Sequence, residues 1–309
     1  MVATRSKASR SRIAAHVIRD RWLYLLALPG LLYFIIFKYL PMWGVMIAFK
    51  DYVPFLGVLG SKWVGLKWFN YFFSNPIFGR LFGNTIVLSV MNIVFFFPAP
   101  IILALMLNEL RSARYKKIMQ TLLYIPHFVS IVIVCSITYV MFNSNGIVYK
   151  MAYAMTGQNV GFLTSPSAFR PMIIGQTIWK ETGWGTIIFL AALAGVDVEL
   201  YEAAMCDGAG RLRQLWHITL PAIRSTIVLL LVLRMGSVLD TGYEHLILMA
   251  NAMNRSVSQT FDVFVYQQGI QGGQYSYATA IGLFKAVISV ALVTSSNWMA
   301  HKMGEPGLY

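Results

Sequence analysis

Acidic residues are scarce in this chain. Its 309 residues hold twelve Asp and Glu against 25 Lys and Arg, and charged residues of both signs make up only 12%. A soluble domain carries about 25%, so a water-soluble globular fold is excluded. Cysteine is almost absent. Cys135 falls in an apolar run and Cys206 in a polar stretch, which leaves no disulfide framework. The five histidines, His16, His127, His217, His245 and His301, are scattered without metal-ligand spacing. No metal site is expected. No glycine-rich phosphate loop of the Walker type occurs, so any ATP chemistry belongs to other chains, with ATP and Mg held there. No cofactor is expected in this one. A cleavable signal peptide is not expected either, because the first apolar run leads into Lys38-Tyr39-Leu40-Pro41 rather than small residues.

What the chain has instead is long apolar runs. Hydrophobic residues make up 57%, with mean hydropathy +0.62. The runs are continuous rather than alternating, so they spell helices crossing a bilayer and not a barrel. The fold class expected is an all-α integral membrane bundle of six transmembrane helices. The spans fall near 22–37, 85–107, 122–142, 172–193, 222–239 and 277–300. They follow a basic segment, 1–21, and precede a short tail, 301–309. The first run is expected to reach toward Phe49 through a kink at Pro41, and the second to kink at Pro98 and Pro100. Aromatics from Trp63 to Phe73 suggest a helix lying at the headgroups. Residues 143–170 and 240–276 read as polar connections, with turns at Asn145-Gly146 and Ser165-Pro166.

The net charge of +13 would suggest nucleic acid in a soluble protein. Here the positive residues sit beside apolar runs, which is a topology signal, and no nucleic-acid partner is expected. Six spans put both termini on one side. Fourteen Lys and Arg flank that side and eight the other, so both termini are expected in the cytoplasm of a multi-pass plasma-membrane protein.

Between the fourth and fifth runs lies Glu202-Ala203-Ala204-Met205-Cys206-Asp207-Gly208-Ala209-Gly210, continuing through Arg211 to Ile218 and Leu220-Pro221. It is too polar to cross a bilayer. Tyr201 to Asp207 favours a short helix, Gly208 and Gly210 can stop it, and Arg211 to Ile218 can start another. Pro221 suits the first turn of the next helix. Such a knob on the cytoplasmic face is something another protein can grip.

The spacing of Glu202, Ala203, Ala204, Gly208, Ile218 and Leu220-Pro221 resembles the EAA loop of binding-protein-dependent ABC importer permeases. Softer blocks, such as Tyr39-Leu40-Pro41-Met42-Trp43-Gly44, Trp179-Lys180 with Gly183-Trp184, and Leu190-Ala191-Ala192-Leu193, resemble the subgroup associated with oligosaccharides and polysaccharide fragments. The resemblance implies a type I importer-like bundle with a cytoplasmic coupling helix. It also implies a homologous second permease, two cytoplasmic ATPase subunits and an extracellular solute-binding protein. By that resemblance Glu202, Ala203, Ala204, Asp207, Gly208 and Gly210 meet the ATPase. Cargoes such as peptides, amino acids or polyols stay open. An ion-coupled secondary carrier is a further alternative, against which the halves show no convincing repeat.

Charges inside spans are costly and are functional candidates. Lys180 and Glu181 are neighbours and point about 100° apart on a helix, so they are not expected to face each other. Asp240 and Glu244, four apart, are expected to share one helical face beside Tyr243. Asp240, Tyr243, Glu244 and Trp184 are the candidates for a substrate path. Lys285 is expected to find a carboxylate, and Asn92 and Tyr139 are weaker candidates.

Overall fold

The computed structural model describes residues 19–305, 307 and 308. Most of the basic segment, including Arg5, Lys7, Arg10 and Arg12, lies outside the described residues. The chain forms two units, one ending at Leu66 and the other beginning at Lys67.

In the first unit, helix α1 runs Arg21–Phe49 without a break. Pro41 lacks an N–H and its ring crowds the carbonyl four residues back. The helix answers by widening to a π-helical turn over Ile35–Tyr39 and tightening to a 3-10 stretch over Trp43–Phe49. None of the residues in its most apolar window is buried within the chain, as suits a surface turned to lipid. A two-stranded ribbon follows, β1 (Lys50–Asp51) paired antiparallel with β2 (Lys62–Trp63). Phe49 and Trp63 stack across it, with centroids 5.7 Å apart. Lys50 is buried there, its Nζ donating to the Val58 carbonyl at 2.6 Å.

The second unit holds helices and no strand among its described residues. Helix α2 spans Lys67–Ser74 and α3 spans Ile77–Asn108. The aromatic stretch does form a helix, and one face of α2 packs into the core while Tyr71 and Phe73 stay exposed. Phe72 is fully buried among Leu81, Phe261, Phe264, Tyr277 and Ile281, where a large apolar side chain gains from close packing. In α3 a π-helical turn, Asn92–Phe96, sits just before Pro98 and Pro100. That places the irregularity where the prolines require it.

The apolar run at 122–142 is divided between two helices. Helix α4 (Ala113–Tyr124) ends in a 3-10 turn at Ile125–Phe128 containing Pro126. Ser130 then caps α5 (Ile131–Phe142), its side chain accepting from the Ile133 N–H. The connection after it contains α6 (Ile147–Thr156), closed by Gly157 at φ +67. Ser165-Pro166 is a helix start rather than a turn, with Pro166 opening the 29-residue α7 (Pro166–Ala194). Helix α8 is Val198–Cys206, α9 Arg211–Ala222 and α10 Arg224–Gly236. Residues 240–274 are not a plain connection either. They hold α11 (Tyr243–Met249), a turn at Arg255–Ser258 and α12 (Phe261–Val265), which runs on as a π-helical stretch, Tyr266–Gln271. The last helix, α13, spans Tyr275–Lys302.

By length and composition α1, α3, Ile131–Thr156 and α13 are able to cross a membrane, and the bent pair α9–α10 makes a fifth. Helix α7 is as long as α1 but carries Lys180 and Glu181 near its middle. Its glycines bring helices close. A Cβ at Gly183 would overlap the Leu123 carbonyl, and one at Gly185 would sit 3.0 Å from Pro100. Small residues at such crossings are how membrane helices gain contact without a hydrophobic driving force. Further burial gathers around Ala104, Phe189, Leu193 and Ile223, and around Leu88, Cys135, Phe169, Leu246 and Met249. The two cysteines are free, Cys135 buried and Cys206 exposed.

Candidate functional site

The polar stretch after α7 folds into a knob. Asp197 starts α8, its carboxylate accepting the Glu199 N–H at 3.0 Å. The helix thus begins at Val198, ahead of Tyr201. It ends in a Schellman turn. The Ala209 N–H reaches the Ala204 carbonyl at 2.8 Å and the Gly208 N–H the Met205 carbonyl at 3.0 Å. Gly208 takes φ +77 there, which a residue with a Cβ adopts only with strain. Gly210 does not share that role. Its φ of −69 and ψ of 165 are ordinary extended values, and it precedes α9.

Two bonds tie the knob together: Tyr201 to Thr219 at 3.0 Å, and Gln214 Nε2 donating to the Ala209 carbonyl at 3.0 Å. Glu202, Ala203, Asp207 and Gly208 are exposed, and Ala204 is half-buried. Met205 and Leu212 are exposed beside them. Pro221 does not open the next helix. It lies near the end of α9, and the chain bends by 57° before α10. The π-helical turn Leu215–Thr219 precedes it, so the proline is accommodated upstream and the break falls at Ile223.

Inside the helical unit, polar residues gather in three places. In the first, Lys180 and Glu181 do pair, with Nζ 2.8 Å from Oε1. Their Cβ directions diverge, but both side chains are long enough to turn toward the α4–α5 corner. There Lys180 donates to the His127 carbonyl at 2.8 Å and His127 Nδ1 donates to Glu181 at 2.7 Å. Trp184 stacks on the His127 ring, centroids 4.5 Å apart and planes 6° from parallel. The indole remains 46% exposed, so it presents a free aromatic surface.

In the second place, Asp240 and Glu244 do not share a helical face. Helix α10 ends at Gly236, and Gly242, at φ +73, turns the chain before α11 begins. Asp240 instead meets Lys285 of α13 at 2.5 Å. Asp262, at the start of α12, holds the same ammonium and accepts the Thr241 N–H at 2.8 Å. Tyr243 stacks on Tyr266 with centroids 4.9 Å apart and is itself exposed. Glu244 is exposed as well.

The third place was not singled out from the sequence. Gln176 Oε1 accepts from His245 Nε2 at 2.5 Å, and Gln176 Nε2 donates to Thr138 at 2.6 Å. Since the amide oxygen only accepts, His245 carries its proton on Nε2. Gln176 and Thr138 line a cavity of about 390 Å³ with Trp179 and Met172. Arg234, on α10, was also missed. It donates to Asn92 at 2.7 Å and lies over the Phe96 ring. A lone arginine inside the run Leu229–Met235 was the signal available.

Residues 96–304 match the family described as "Binding-protein-dependent transport system inner membrane component". The chain is 58% identical to Protein LplB of Bacillus subtilis over 94% of its own length and 92% of that protein's. It is 52% identical to the polygalacturonan/rhamnogalacturonan transport system permease protein YteP of the same organism, over 98% and 95%. Among solved structures it resembles a chain of a bacterial alginate ABC transporter in complex with an alginate pentasaccharide-bound periplasmic protein. There the TM-score is 0.88 at 38% identity, covering 96% of this chain and all of that one.

Proposed function

The chain belongs to the inner membrane components of binding-protein-dependent transport systems, and on that premise we propose that it is one permease subunit of an ATP-driven importer of oligosaccharides. The observation that carries the reading is the exposed, doubly capped knob at 197–211. It offers a small-residue surface that another protein can enter. Glu202, Ala203, Ala204, Asp207 and Gly208 form the contact with a cytoplasmic ATPase, and Gly210 leads into α9. ATP and Mg are bound on two such ATPase subunits. A second, homologous permease completes the path across the membrane, and an extracellular binding protein delivers the cargo.

The relatives support an oligosaccharide cargo: one is named for polygalacturonan/rhamnogalacturonan transport, and the solved relative is an alginate transporter with an alginate pentasaccharide on its periplasmic protein. Exposed aromatic surfaces at Trp184 and at the Tyr243–Tyr266 stack suit sugar faces, and Asp240 and Glu244 suit sugar hydroxyls. Closing of the ATPase pair moves the knob, and the helices attached to it tilt the path from inward- to outward-open.

The test is uptake by proteoliposomes holding both permeases and the ATPases, with the binding protein outside. Oligosaccharide should accumulate only with ATP inside. Accumulation by the purified chain alone, driven by an ion gradient without ATP, would establish a carrier instead.

The same reading gives six spans with both termini cytoplasmic, α7 being the one that crosses with polar residues turned inward. In a chain with Cys206 replaced by serine, a cysteine at Ser144 should react with an impermeant thiol reagent added to intact cells. One at Ser6 should not. Labelling at Ser6 would reverse the orientation.

A further inference from the structure

We propose that Arg234 is the contact for a cargo carboxylate, so that this permease selects acidic over neutral oligosaccharides. The inference rests on the oligosaccharide-importer reading and adds the charge of the cargo.

Among the described residues, Arg170 on α7 meets only the Asn84 amide; three further cations are Lys180 on α7, Arg234 on α10 and Lys285 on α13. Lys180 touches Glu181, and Lys285 touches both Asp240 and Asp262. Arg234 touches no carboxylate among the described residues. Its Nη2 donates to the neutral amide of Asn92, its guanidinium lies 5.5 Å from the Phe96 centroid, and its Nε–H has no acceptor.

A cation in a span is costly, and a buried donor without an acceptor adds to that cost. Natural chains neutralise such charges, as Lys180 and Lys285 are neutralised here. Arg234 is arranged differently: an amide orients it on one side and a ring faces it. Neither cancels its charge. A guanidinium held this way matches a carboxylate with two parallel N–H bonds, a geometry that lysine cannot supply. A neutral sugar would have no use for it. A sugar acid carries such a carboxylate.

The probes are trigalacturonate and the same trisaccharide with its carboxyl groups reduced to alcohols. Binding of each is measured by calorimetry on the purified permease–ATPase complex, arrested with a non-hydrolysable ATP analogue and without the binding protein. The wild-type complex should bind the acid at least about 10-fold more tightly, the scale of a charge-assisted contact. R234Q should abolish the preference while keeping the affinity for the reduced probe. R234K should keep part of it. An unchanged preference in R234Q overturns the inference. So does an equal loss for both probes, which marks a packing role. Separation of the two permeases in R234Q, with the acid preference of the remaining complex intact, would assign the guanidinium to the subunit interface and also overturn it. A wild-type complex that binds both probes equally removes only this inference, whereas one that binds neither removes the oligosaccharide reading itself.

Discussion

Ala204→Trp, Gly208→Val and Glu202→Lys are each expected to detach or uncouple the ATPase while the helices still insert. Ala203 and Ala204 sit on successive positions of α8, with Ala203 exposed and Ala204 half-buried. Together they make a low surface beside the apolar Met205. A tryptophan at 204 overfills both the inner side of α8 and any cleft that receives it, and overpacking costs about 1–3 kcal/mol. Gly208 needs a different argument. A Cβ there would meet nothing within 4 Å, so space is not the constraint. The constraint is φ +77, which closes the Schellman turn and sets the direction in which the chain leaves α8. A β-branched valine resists that conformation. Glu202 supplies an exposed negative charge on the knob. Lysine there inverts the charge offered to the partner, and like charges at an interface cost several kcal/mol. Co-purification of the ATPase with each variant, and cargo-stimulated ATP hydrolysis, are the measurements. Wild-type behaviour in all three variants would show that the knob is not the coupling element.

Lys285→Met is expected to be among the most destabilising single changes in the helical unit. The ammonium is 15% exposed and Asp262 16%. Removing one partner of a buried pair leaves an uncompensated charge, a loss of about 3–5 kcal/mol. Lys285 sits ten residues into α13, roughly 15 Å along its axis, and the Asp262 left behind is itself largely buried. Asp262 still accepts the Thr241 N–H, which softens the loss. Asp240 is 63% exposed and so contributes less to the loss. Adding Asp262→Asn should therefore recover much of the stability without restoring the pair. Thermal melting of the purified complex in detergent reads both steps. A double variant no more stable than Lys285→Met would mean that Lys285 acts by packing and not by charge.

Local sequence was sufficient wherever a feature depends on neighbours in the chain. Apolar length, the small residues of the knob and the glycine at 208 are such features, because helix caps and left-handed turns are made within a few residues. The proline irregularities were legible for the same reason, although α1 absorbs Pro41 by changing pitch rather than by breaking. Helices α6 and α11 were not legible. Each is at most ten residues long and sits in a polar stretch, and helices that short are held by tertiary packing rather than by propensity.

The polar sites divide along the same line. The candidates Asp240, Tyr243, Glu244 and Trp184 were marked by composition, since charged and aromatic groups in or beside apolar runs stand out. Their partners were beyond reach. Lys285 meets Asp262 across 23 positions, His127 meets Glu181 across 54 and Arg234 meets Asn92 across 142. Periodicity places a residue on one helix face and says nothing of which other helix arrives there. The sequence by itself determined that this chain is a helical membrane protein with a knob on its surface, because burial in lipid and turn chemistry act residue by residue. Only the tertiary structure decided which charges neutralise each other and which, such as Arg234, meet an amide instead, because that depends on how helices far apart in the chain are brought together.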